Sequence, residues 1–93
     1  MNCHAQALLR HFTAQLGALE EIDHSDTPWH SATFNGARYC FTFTVDTAAN
    51  VAAFALALPE ADIPLPGGFV AGALVTGVAG DRVWVEVLTI DAA

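Results

Sequence analysis

Lysine is absent from this 93-residue sequence, and arginine occurs three times, at Arg10, Arg38 and Arg82, against ten acidic residues. Neutralising a phosphate backbone takes clustered cations. A scattered trio in a chain of net charge −7 excludes nucleic acid as a partner, and an anionic membrane surface for the same reason. Cysteine is nearly as scarce: Cys3 and Cys40 are too few and too far apart to build a disulfide framework, which points to a reducing cytoplasm. Charged residues of all kinds amount to 14%, below the roughly 25% of ordinary soluble domains, whereas hydrophobic residues make up 54%. A domain this small has much surface for its volume, so the apolar excess must stay exposed or be covered by another chain. The composition therefore predicts an assembly, either a homodimer or a complex with another protein.

Other absences remove further classes. The N-terminal residues lack a continuous apolar run, being interrupted by His4, Gln6, Arg10 and His11, so no secretory signal is expected. The segment Ile63 to Gly80 is free of charge and approaches the length of a membrane span, but it holds Pro64, Pro66 and five glycines and reads as a buried hairpin. Its run GGFVAGALVTGVAG is not a phosphate loop, because the glycines enter a strand rather than open a helix and no lysine follows. Cys3, His4, His11, His24 and His30 show no zinc-ligand spacing, so neither a metal nor another cofactor is expected. Asp23-His24-Ser25-Asp26 holds the residue types of a catalytic triad, but neighbours in one loop rarely aim at one another, and a solvated turn is the better reading. No catalytic residue is assigned.

What is present is patterning. Ala5, Leu8, Phe12, Leu16 and Leu19 recur at helical spacing behind Asn2 as N-cap, which predicts a helix ending near Glu21, with a loop to Pro28. Asn35-Gly36 is a strong hairpin signal and predicts a turn between two strands, with Phe34 opposite Ala37 and Thr33 opposite Arg38. One face then collects His30, Ala32, Phe34, Tyr39, Phe41, Phe43 and Val45; the other collects Trp29, Arg38, Cys40 and the threonines. His30 and Cys40 fall on opposite faces, so the thiol has no imidazole base and reads as packed and inert. Asp46 or Thr47 is placed to cap a second helix with the stripe Val51, Phe54, Ala55 and Leu58, stopped by Pro59. Residues 60–68 are an extended connection, and a second hairpin runs from about Phe69 to Asp91 with its turn near Gly80-Asp81.

The expected fold is α+β: αββαββ order, a four-stranded antiparallel sheet and two helices on one face, in a single domain over residues 1–93. FNGARY and VAGDRV echo each other at an offset of 44 residues, which suggests an αββ pseudo-repeat divided into 1–46 and 47–93. The helices then cover one sheet face. The other face is expected to place Phe69, Ala71, Ala73, Val75, Trp84, Leu88 and Ile90 in an interface with a symmetry mate. Trp29, Arg38, Cys40, Arg82, Trp84 and Glu86 on that same side offer a second reading, a small-ligand-binding protein or minimal enzyme whose pocket at the dimer interface grips a planar carboxylate or anion with two arginines and two tryptophans. The segments WHSATFNGARY, LPGGFVAGALV and VEVLTID resemble short alphaproteobacterial proteins that carry W-x-S-A-T-F-x-G-x-R. That resemblance implies a bacterial origin and brings no activity, cofactor or site residue with it.

Overall fold

The computed structural model describes residues 3–91. The elements follow in the order α1 (Cys3–Leu16), β1 (Leu19–His30), β2 (Asn35–Val45), α2 (Val51–Ala57), a single 3-10 turn (Leu58–Glu60), β3 (Gly68–Ala79) and β4 (Arg82–Asp91). The strands make one antiparallel sheet in the order β1-β2-β4-β3. This is the expected α+β class. The two hairpins meet along β2 and β4, and Phe41 lies opposite Val85, the one pair in that ladder separated by 44 residues.

α1 ends earlier than its stripe suggests. Gly17 takes a positive φ of 82°, and its N–H donates to the Thr13 carbonyl at 2.8 Å, closing the helix one residue after Leu16. A left-handed glycine at this position is the common way for a helix to stop. Leu19 to Pro28 then form most of a long strand instead of a helix end and a loop. The proposed cap Asn2 lies outside the described residues. α2 is capped by Asn50, whose Oδ1 accepts from the Ala53 N–H at 3.0 Å, rather than by Asp46 or Thr47. Asp46 holds the preceding turn through the Ala48 N–H.

Two registers differ from expectation. The first hairpin turns at Ser31–Phe34, where the Ser31 N–H donates to the Phe34 carbonyl and the Ser31 hydroxyl accepts from the Phe34 N–H. His30 therefore pairs with Asn35 and Trp29 with Gly36. A tight Asn-Gly turn needs positive φ at both residues, and neither has it. Phe34 and Ala32 leave the predicted core face and sit exposed in the turn. The alternation along β2 is unaffected by the slip, so Tyr39, Phe41, Phe43 and Val45 are buried as expected.

In β3 the ladder shifts between Val70 and Gly72 and again between Val75 and Gly77. Each bulge inserts a residue without a partner and reverses the alternation. Ala73 and Val75 thereby turn to the helix side, where Ala73 is buried and Val75 packs on the core, while Leu74 takes the open face opposite Glu86. The second turn falls at Gly80-Asp81 as predicted, and the Asp81 carbonyl accepts from the Val45 N–H at 2.9 Å.

The core is one cluster. Leu8 and Phe12 of α1 and Phe54 of α2 meet Tyr39, Phe41 and Phe43 of β2 and Val83, Val85 and Val87 of β4. Leu58 and Ile63, from the 3-10 turn and the connection that follows, close one end. Thr89 is the buried polar side chain in this layer, and its hydroxyl donates to the Ala37 carbonyl at 3.2 Å.

Candidate functional site

The sheet face turned away from this cluster is the candidate site. Cross-strand partners share a face. The register therefore lays out rows across it: Trp29, Gly36, Ile90 and Phe69; Thr27, Arg38, Leu88 and Gly72; Ser25, Cys40, Glu86 and Leu74; and Asp23, Thr42, Trp84 and Gly77. Thr44 and Arg82 lie beyond, at the far end. The β1–β2 half is polar, whereas the β3–β4 half is apolar. Phe69 is 50% exposed and Leu74 49%, with Trp84, Leu88 and Ile90 half-buried between them. Ala71, an expected interface residue, is the unpaired bulge residue at the β3 edge.

Each hairpin seats a tryptophan on a glycine opposite it. A Cβ at Gly36 would come within 2.9 Å of the Trp29 indole, and one at Gly77 within 3.3 Å of the Trp84 ring. Each indole thus packs across the strands onto the glycine opposite it. The Trp29 indole N–H is buried with no hydrogen-bond partner among the described residues.

The register brings some of the predicted site residues together and separates others. Arg38 and Glu86 form an ion pair, Nε to Oε1 3.2 Å, beside Cys40. Arg38 pairs with Leu88 and Arg82 with Thr44, six positions along the ladder, which is roughly 20 Å at strand rise. Trp29 and Trp84 are apart by the same six steps. Within one chain the two arginines and two tryptophans do not enclose a common ligand, and the Glu86 carboxylate beside Arg38 opposes an anion there. Cys40 is exposed rather than packed, and both cysteines are free.

The remaining histidines are dispersed. His24 and Asp26 face the helix side of β1 while Asp23 and Ser25 face the open side, so the apparent triad residues diverge. The carboxylate that accepts from the His24 ring is Glu21, at 2.5 Å, and the imidazole stacks on Phe41. His30 Nδ1 meets Asn35 Oδ1 at 2.8 Å, and His4 Nε2 meets the Pro66 carbonyl at 2.7 Å. Among the described residues no three His, Cys, Asp or Glu side chains gather to hold a metal ion, and no helix is long and apolar enough to cross a membrane.

A second concavity, which the sequence reading missed, lies on the other side of the sheet. A cleft of about 410 Å³ opens between α1 and α2, lined by His11, Gln15, Phe54, Leu58, Glu60 and Asp62 among others. Burial holds the His11 imidazole below its ordinary pKa of 6.5. A histidine kept neutral by burial contributes stability that is full above the unfolded value and lost as pH falls from 6.5 toward the lower folded value. Lowering the pH from about 7.5 to about 5.5 should therefore depress the thermal midpoint of the wild type more than that of His11→Gln. Parallel melting curves check this.

No protein-family model, curated protein or solved structure matches the chain.

Proposed function

We propose that this chain acts through protein assembly, as a homodimer whose protomers pack their open sheet faces against each other, β3–β4 half foremost. The observation that carries this reading is the row of Phe69, Leu74, Trp84, Leu88 and Ile90, on a face that no described element covers. Fully burying a large apolar side chain is worth about 1.5–3 kcal/mol; these five are at least half-buried already, so covering each gains a fraction of that, and together they favour a covered face.

Two features favour a second copy as the occupant. Glu20, Asp23 and Glu86 share the open face with Arg38 and Arg82, so it carries one net negative charge and the other six lie elsewhere. A face this close to neutral meets its own copy without the repulsion a net charge of −7 would otherwise impose. Its size is also suitable. Four strands at 4.8 Å spacing and about 33 Å long present roughly 600 Å² in plan, before side-chain relief. A standard interface takes about 800 Å² from each partner.

The edges bear on how the copies meet. β1 carries Glu20, Glu21, Asp23, Asp26 and Pro28, the charges and proline that keep an edge strand from pairing onward. β3 is uncharged over all twelve residues and is guarded by its two bulges alone. Association is thereby biased to the β3 side.

Leu74→Lys tests the proposal. Glu86 lies opposite Leu74 and can pair with the new ammonium in an isolated chain, so the fold survives, but the charge would be trapped in a packed interface. The expected result is a folded monomer, with Leu56→Lys, on the 83% exposed surface of α2, still dimeric. Equal assembly of the two variants, measured by sedimentation, would exclude the open face.

A further inference from the structure

Asn35-Gly36 does not form the turn its sequence suggests, and the pair carries a reactivity of its own. Glycine has no side chain to shield its nitrogen, so an asparagine before it can lose its amide spontaneously. The Gly36 nitrogen attacks Asn35 Cγ as it gives up its proton. The Cγ–Nδ2 bond breaks, ammonia leaves with that proton, and a five-membered imide closes. Water, the sole co-reactant, then opens either carbonyl of the imide, leaving aspartate or an isoaspartyl link.

The closed hairpin withholds each reacting group. The Ser31–Phe34 turn bond makes that a hydrogen-bonded pair, and bonded pairs alternate along an antiparallel ladder. The Trp29–Gly36 pair is therefore bonded, and the Gly36 N–H is spent on β1. Asn35 Oδ1 accepts from His30 Nδ1 at 2.8 Å, which holds the carboxamide across the strands. β2 runs extended from Asn35, whereas attack requires the peptide to rotate toward the side chain. Asn35 and His30 are nonetheless exposed, on the side of the sheet away from the dimer face, as are Ser31 to Phe34. Such ends of a sheet open locally far more often than the domain unfolds. Trp29 keeps this one shut by packing across the strands on Gly36.

We propose that Asn35-Gly36 is a site of spontaneous deamidation gated by opening of the β1–β2 tip, with Trp29 as the latch. The reaction is independent of assembly, and its product does not close again in the original register. An isoaspartyl link routes the main chain through the side-chain carbon and adds an atom to the backbone beside Gly36, where one extra carbon already collides with the Thr89 carbonyl. Each opening that reacts is thereby recorded irreversibly, with one further negative charge.

The test is incubation of the full chain at neutral pH and body temperature, followed by trypsin cleavage after Arg10 and Arg38. Mass spectrometry of the His11–Arg38 peptide reads the amide loss, and chromatography separates the isoaspartyl form. The native wild type should convert at Asn35 about tenfold more slowly than the same chain in urea. Trp29→Ala should convert about tenfold faster than the native wild type, and Ser31→Ala, which loses the hydroxyl bonded to the Phe34 N–H, about threefold faster. Asn50, followed by the branched Val51, should stay intact throughout. Conversion of the native wild type as fast as in urea, unchanged rates in both variants, or equal loss at Asn50 would each overturn the proposal. If Trp29→Ala fails to fold, Ser31→Ala and the comparison with urea decide the matter.

Discussion

Phe12→Ala should lose about 3–5 kcal/mol of stability, the largest effect expected from any side-chain truncation in this chain. Phe12 has no exposed surface, and its ring sits 5.6 Å from Phe41, 5.8 Å from Phe43 and 5.6 Å from Phe54. Two contacts are edge-on and one is stacked, so a single ring ties α1 to β2 and to α2. Truncation leaves a cavity that three other rings must collapse into, and neighbours held by a sheet collapse poorly. Whole domains are stable by about 5–15 kcal/mol, and a small one sits low in that range, so the variant should be largely unfolded at room temperature. Urea denaturation followed by circular dichroism measures this directly. Phe34→Ala, in the exposed hairpin turn, should change stability by less than about 0.5 kcal/mol under the same conditions.

Gly36→Ala should cost about 3 kcal/mol, although it adds a single carbon. That carbon would collide with the Thr89 backbone carbonyl and come within 2.9 Å of two atoms of the Trp29 indole. The indole can swing away. The carbonyl belongs to β4 in the middle of the sheet, so relief requires parting β2 from β4 where Gly36 faces Ile90. The double variant Trp29→Ala/Gly36→Ala should therefore recover only part of the loss. Full additivity of the two single losses in a double-mutant cycle would show that the indole and Gly36 are not in contact.

Much of the architecture could be read from residue spacing, and the failures have identifiable causes. Period-two alternation in YCFTFTV and RVWVEVLTI assigned the buried faces of β2 and β4 correctly, because a strand paired on both sides has no freedom to reverse. The stripe at helical spacing marks Phe54, which is buried in α2, and Leu58, which is buried in the 3-10 turn that follows. β1 was illegible. LEEIDHSDTPWH has the charge and proline of a loop, yet those features also suit an edge strand, whose outer groups face solvent and whose proline needs no partner. Trp29 draws that strand onward by packing on Gly36, and the Asn-Gly turn gives way to Ser31–Phe34. In β3 the two bulges exchanged Leu74 for Ala73 and Val75 on the open face, and the isolated glycines Gly72 and Gly77 were the available signal. The candidate site was therefore legible as a face, and within it Phe69, Trp84, Leu88 and Ile90 as members, but not as a list of neighbours. Arg38 and Arg82 occupy similar places in FNGARY and VAGDRV, yet one lies within a strand and the other beside a turn. Only the pairing reveals the distance between them.

The decisive question for this chain is whether a second copy covers its open sheet face. Light scattering of the wild-type protein at micromolar concentration, coupled to size exclusion, measures this most directly. Twice the chain mass for the wild type, with the chain mass for Leu74→Lys, is the predicted result. A wild-type protein that stays soluble at the mass of one chain would rule out dimerisation through this face.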